Sequence, residues 1–171
     1  MFLNKSLTAI LLWLMIPTFV FALETDKSSP ILIEANQVDM AEKTGISTYT
    51  GNVTLQQGSI KISADSIVVY TQNKKLQRII ATGNPAYFSQ QPDHSSEPVQ
   101  ASAKHVEYAA TTGMLILLDN AKMQQGANSF SSNKIEYDTV NDILSASSAK
   151  QGKQRVKAVI QPDTFQPNKK P

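Results

Sequence analysis

The stretch YTGNVTLQQGSIKISADSIVVY, residues 49–70, decides the fold. Apolar residues alternate with polar ones at Val53/Leu55, Ile60/Ile62 and Ile67/Val69. A period of two places one face of a strand against a core and leaves the other in water. Gly51-Asn52 and Gln56-Gln57-Gly58 supply the residues that adopt turn conformations between strands. The unit therefore reads strand, turn, strand.

Outward from this stretch, one pattern returns four times. It runs Ile33 to Met40, Ile62 to Val69, Ala101 to Tyr108 and Phe130 to Tyr137, with Val38, Ile67, Val106 and Ile135 as markers spaced by 29, 39 and 29 residues. A second element recurs as Gly51-Asn52-Val53, Gly83-Asn84-Pro85 and Asp119-Asn120-Ala121, and two of its copies end in Gln-Gln-Gly, at 58 and 126. Turn-forming residues fall at 41–45, 71–75, 109–113 and 138–142. The long spacing comes from the polar insert Ser89 to Glu97, which reads as a surface loop. No sustained helical stripe is present, and the apolar run Met114 to Leu118 suits a buried strand. The chain is therefore all-β. A repeat of about 30 residues cannot bury its apolar face alone, so the units form a roll, a sandwich or a solenoid. Open stacking leaves an unpaired strand edge at each end.

The N-terminus sets the compartment. Lys5, the apolar run Leu7 to Phe21 and the small residue Ala22 form a secretory signal, predicted to be cleaved near Ala22. That divides the chain into a signal peptide over 1–22, one domain over 23–161 and a flexible, proline-containing tail over 162–171. With no Cys in 171 residues, an exported chain must hold its fold by its core. Removal of Lys5 leaves 15 basic and 14 acidic side chains, net +1, which disfavours nucleic acid as a partner. The adjacent basic pairs, Lys74-Lys75 and Lys169-Lys170, read as a solvated turn and tail.

Catalysis has little to work with. His94 and His105 carry neither a nucleophile signature nor zinc spacing. Asp39, Glu107 and Glu136 share one outward repeat position, which argues for solvation rather than a paired acid and base. The reading is no enzyme, no metal and no cofactor. What remains is the apolar face, rich in Tyr87, Phe88, Tyr108, Phe130 and Tyr137. It is either the closed core of a structural repeat module or a groove that accepts an apolar ligand, and periodicity leaves both open.

Six stretches, PILIEANQVDM (30–40), the opening run (49–70), GNPAYF (83–88), LDNAKMQQG (118–126), NKIEYD (133–138) and GKQRVKAVIQP (152–162), resemble the OstA-like family of periplasmic lipopolysaccharide-transport proteins, the LptA group. The resemblance implies a β-jellyroll of about sixteen consecutive antiparallel strands, slightly twisted, with an apolar interior groove. It implies lipopolysaccharide binding in the periplasm of a Gram-negative cell envelope, with lipid A acyl chains in the groove, for outer-membrane assembly. It also implies an LptC-like inner-membrane partner, an LptD-like outer-membrane partner and head-to-tail homo-oligomers. A chain of about ten methylenes costs on the order of 8 kcal/mol to expose, so the ligand needs a continuous shielded path.

The family match points to Ile31, Phe88 and Tyr108 as acyl-chain contacts, with Ala110 smaller than the aliphatic residue the pattern calls for. Ile33, Leu55, Ile62 and Phe130 complete the expected lining. Tyr87 and Phe88 are adjacent, so only one faces inward on a regular strand; the family match favours Phe88, and repeat alignment with Leu55 and Met123 favours Tyr87. The expected oligomer edges are the first strand, Ile31 to Glu34 (Ile31, Leu32, Ile33), and the last, Gln154 to Gln161 (Val156, Ala158, Val159, Ile160), which would add to a neighbouring sheet through backbone groups.

Overall fold

The computed structural model describes residues 26–93, 95–148 and 155–162. The expected signal peptide, the tail from 163 onward, His94 and Lys169-Lys170 lie outside them. A short 3-10 turn, Asp26–Ser28, precedes ten strands: β1 (Ile31–Glu34), β2 (Gln37–Ala41), β3 (Ile46–Gln57), β4 (Ile60–Gln72), β5 (Lys75–Gln90), β6 (Val99–Ala109), β7 (Met114–Gln125), β8 (Asn128–Asp138), β9 (Ile143–Ser147) and β10 (Lys157–Val159). All pair antiparallel in one sheet in chain order, with β1 and β2 side by side along β3, and β9 and β10 along β8.

The ten strands and the expected sixteen are two counts of one object. Each ladder among the long strands loses register near its middle, at Thr50/Val53, Ser63/Ser66, Thr82/Ala86, Ser102/His105 and Leu118/Ala121. These shifts line up as a crease across the sheet. One leaf comprises β2, β9 and residues 46–50, 66–72, 75–82, 105–109, 114–118 and 134–138; the other comprises β1, β10 and residues 53–57, 60–64, 86–90, 99–103, 121–125 and 128–132. Eight segments per leaf make sixteen. We call them the front and back leaves.

The crease corrects one local reading. Gly51 (φ 82) and Asn52 (φ 48), like Asp119 (φ 62) and Asn120 (φ 58), adopt the left-handed conformation expected of turn residues, but they lie inside β3 and β7. The chain bends there without reversing, as a bulge allows.

The bend brings the leaves face to face. Phe88 pairs with Ala101 on β6, seven residues before Tyr108, which would put the two aromatics about 23 Å apart on a straight strand. Their ring centroids are 5.5 Å apart. Between the leaves, Val53, Ile67, Ile79, Val106, Leu115, Leu117 and Ile135 form one fully buried core, the interior of the roll.

Two tandem units of 68 residues build the roll (Val38 to Val106, Ile67 to Ile135). Their turns are held alike. The Gly45 carbonyl accepts the Thr71 N–H at 2.8 Å, and the Gly113 carbonyl accepts that of Thr139 at 3.0 Å. Gln56 and Gln124 each donate to the carbonyl of the glycine two residues on, at 3.5 and 3.0 Å. Gly45 (φ 67) and Gly113 (φ 77) need the glycine, because a Cβ on Gly45 would collide with the Thr71 carbonyl and one on Gly113 with Val140 and Thr139. β1 with β2 corresponds to β6, β3 to β7 and β4 to β8. The two halves of β5 correspond to β9 and β10: Ile79 faces Val69 as Leu144 faces Tyr137, and Phe88 faces Ile62 as Ala158 faces Phe130.

Two boundaries differ from expectation. The last strand is only Lys157–Val159, with Val156 and Ile160 as exposed flanks. The insert taken as a loop from Ser89 begins after Gln90, which ends β5, and both Gln90 and Pro92 are buried. That segment is tied down on both sides: the Gln91 N–H donates to Ser59 Oγ at 3.1 Å, and Ser95 Oγ accepts from Gln125 Nε2 at 3.2 Å.

Candidate functional site

The inward side chains form one row that changes character along the roll. At its N-terminal end the leaves stand apart around a cleft of about 1070 Å³. Ile31 and Ile33 come from the back leaf, and Met40, Tyr49 and Val69 from the front. The hairpins at 42–45 and 72–74 form the rim. Alternation along β2 points Val38 to the same side as Met40, and both are exposed because, among the described residues, no strand lies beyond β2.

Toward the centre the row closes. Leu55, Ile62, Phe88 and Tyr108, four of the expected groove positions, are buried in the core, and Ala110 beside them is buried too. Phe130 is half-buried against that core. The inward member of the Tyr87/Phe88 pair is Phe88; Tyr87 is outward and 55% exposed. The longer crease of β5, Gly83–Pro85, adds one residue to the two-residue creases of β3 and β7 and so reverses the parity that repeat alignment assumes.

Where the leaf edges meet opposite the crease, a polar seam seals the centre. The Tyr108 hydroxyl of the front leaf lies close enough to Gln90 of the back leaf and to Thr139 for both to act on its titration, and Tyr137 stands in the same relation to Gln125. The Tyr137 hydroxyl donates to Asp142 Oδ1 at 2.8 Å. Gln90 Nε2 donates to Asp26 Oδ2 at 3.1 Å, and that carboxylate also accepts the Ser59 N–H at 2.6 Å and the Ser59 hydroxyl at 2.8 Å. Burial, with the Asp26 charge, raises the Tyr108 hydroxyl above the usual tyrosine range. Burial, with the Asp142 hydrogen bond and charge, does the same to Tyr137 more strongly. Both hydroxyls stay neutral at any physiological pH.

Most of these seam residues escape a sequence reading, since their pairs, Tyr137 with Asp142 excepted, join positions far apart in the chain. Val38 and Met40 sit at the first repeat marker, so their inward direction is legible and their exposure is not. The edge residues Leu32, Val156, Val159 and Ile160 are exposed, as is Ala158. Among the described residues no group of three His, Asp or Glu could hold a metal ion, and no helix is long and apolar enough to cross a membrane.

Comparison with known proteins agrees with this architecture. Residues 32–143 match the family described as LptA/(LptD N-terminal domain) LPS transport protein. The chain is 36% identical over 168 residues to the lipopolysaccharide export system protein LptA of Escherichia coli (strain K12), covering 96% of this chain and 87% of that protein. It is 30% identical over 151 residues to the lipopolysaccharide export system protein LptH of Pseudomonas aeruginosa, covering 85% and 86%. The crystal structure of LptH, described as the LptA homologous periplasmic component of the lipopolysaccharide transport device, superposes with a TM-score of 0.73 at 30% identity over 80% of this chain and 99% of that one. The family is one of transport components rather than enzymes. A creased, tandemly repeated antiparallel roll, matched in sequence over most of its described length and in structure to LptH, makes the chain a member of the LptA/LptD N-terminal-domain family of lipopolysaccharide transport proteins.

Proposed function

We propose that the chain carries lipopolysaccharide through the periplasm, lodging lipid A acyl chains between its two leaves and bridging an LptC-like inner-membrane partner to an LptD-like outer-membrane partner. The observation that carries this reading is the N-terminal cleft, where Ile31, Ile33, Met40, Tyr49 and Val69 line an opening continuous with the apolar interior. Met40 is exposed there and Ile31, Ile33 and Tyr49 are half-buried, and apolar side chains so placed at a concave opening mark a site for an apolar partner or ligand. In this reading Ile31 and Ile33 meet the chain first, while Leu55, Ile62, Phe88, Tyr108 and Phe130 receive it once the seam parts.

The strand edges support assembly into a head-to-tail homo-oligomer. β9 and β10 repeat the two halves of β5, and β1 with β2 repeats β6, so the two outer edges are those that β5 and β6 join inside the molecule. A second copy, or a related roll of either partner, would continue that ladder without closing on itself. The central core, fully buried as it stands, favours a second reading: a structural repeat module with a closed interior and no ligand.

One crosslinking experiment separates them. A photo-reactive residue at Ile31 or Phe88 should capture lipopolysaccharide, and one at the outward Lys61 should not. Equal labelling of inward and outward probes would leave only the closed module. For assembly, Val159→Pro should remove concentration-dependent oligomers in light scattering while leaving the monomer folded.

A further inference from the structure

The basic pair Lys74-Lys75, read from sequence as a solvated turn, marks the tip of one of two hairpins overhanging the open cleft. The β2–β3 turn carries Lys43, and the β4–β5 turn carries Asn73 (φ 51) and Lys74 (φ 60). The turns are fixed side by side, since the Gly45 carbonyl in the first accepts both the Thr71 N–H at 2.8 Å and the Thr71 hydroxyl at 3.2 Å just before the second. Lys43 and Lys74 both line the rim, above a floor of Ile31, Ile33, Met40, Tyr49 and Val69. Both are exposed, and neither takes part in the ion pairs Arg78–Glu107 and Lys134–Glu136. Glu42 is the acidic member of the same rim, so two cations face one anion there, with Lys75 exposed behind them.

The tandem repeat supplies an internal control. A step of 68 residues carries Lys43 to Thr111 and Lys74 to Asp142, which keeps the left-handed turn (φ 57) and reverses the charge. The glycine clasp of the two rims is the same (Gly45 with Thr71, Gly113 with Thr139), although the β8–β9 turn is longer than the β4–β5 turn, and the cations stand at the end where the cleft is open. The clasp itself forms in the second unit with Thr111 and Asp142 at the matching positions, so it does not require the two lysines.

We propose that Lys43 and Lys74 form an anion-recognising rim, which makes the open end selective for amphiphiles with a phosphorylated headgroup. The acyl chains lie on the apolar floor and the phosphates meet the two ammonium groups. Lysine acts on phosphate as a flexible point charge, and such exposed attraction is screened by salt. This rests on the proposed function and adds the headgroup contact to it.

The test is binding of the full mature chain to fluorescent lipid A in bisphosphorylated, monophosphorylated and dephosphorylated forms. Wild type should bind the first about tenfold more tightly than the last, and the preference should shrink when salt rises from about 50 to about 500 mM. The double variant Lys43→Gln/Lys74→Gln should bind the bisphosphorylated form as weakly as wild type binds the dephosphorylated one. Lys122→Gln, which removes a cation from the outer surface, should match wild type. If wild type binds all three lipids equally, or the double variant keeps the full preference, the rim is wrong while the transport reading stands. If wild type binds none, the transport reading fails and the rim with it.

Discussion

Val38 and Val106 hold the same place in the two units and point the same way, yet Val38 is 51% exposed and Val106 is completely buried. Two residues on, Met40 is 60% exposed and Tyr108 only 2%. The residues do not differ enough in hydrophobicity to account for this. Their neighbours do: β6 lies between β5 and β7, whereas among the described residues β2 has β3 on one side and no strand on the other. Exposure at the N-terminal mouth thus goes with an edge strand, and burial at the centre with strands paired on both sides and a seam that holds the leaves together.

The largest way to break this contrast is truncation of the core. Leu117→Ala should cost about 3 kcal/mol in urea unfolding, since the cavity it leaves lies in packed surroundings. Met40→Ala should cost less than about 0.5 kcal/mol and act on lipid binding instead. Equal costs would mean that the mouth is as ordered as the centre.

Next in size are the paired glycines. Gly45→Ala places its Cβ against the backbone oxygen of Thr71, and Gly113→Ala places its Cβ against the side chains of Val140 and Thr139, which can turn aside. The first should cost about 1–3 kcal/mol and the second less, measured by thermal unfolding.

The seam should show in alkaline solution. Tyr108 and Tyr137 have raised pKa values in the folded state, so the stability they contribute is fully present below pH 10, their ordinary value, and is lost as pH rises beyond it toward the raised values. Tyr137→Phe should cost about 1 kcal/mol at neutral pH and flatten that alkaline loss. An unchanged profile would remove the seam's role in closing the centre.

The smallest effect belongs to Asp138, whose carboxylate accepts the N–H groups of Val140 at 2.9 Å and Asn141 at 3.0 Å. The Asn141 side-chain and backbone hydrogen bonds lower its pKa below 3.8. Its contribution is present above that value and is lost as pH falls through the lowered one. Asp138→Asn should therefore weaken the β8–β9 turn slightly at neutral pH and less in acid.

How far the sequence exposes this structure varies residue by residue. The alternation at Val53/Leu55 and Ile60/Ile62, the four markers and the turn segments are local signals, and the structure keeps each of them. Gly51-Asn52 shows the limit: its composition specifies a left-handed backbone but not whether the chain then reverses or crosses to the opposite leaf. The choice between Tyr87 and Phe88 turns on one extra residue at a crease. Gln90 and Gln125 are polar positions near turns, and nothing local says that they meet Tyr108 and Tyr137 across the interior. Openness is the least legible property of all, because Val38 and Val106 carry the same letter.

The tandem unit also acts as a ruler. Four strands at about 4.8 Å spacing advance the roll by about 19 Å along its axis. Under the proposed function, the length of any shielded path made from this architecture would therefore grow in whole units, two for each chain, and a wider gap would be crossed by adding units rather than by stretching those already there.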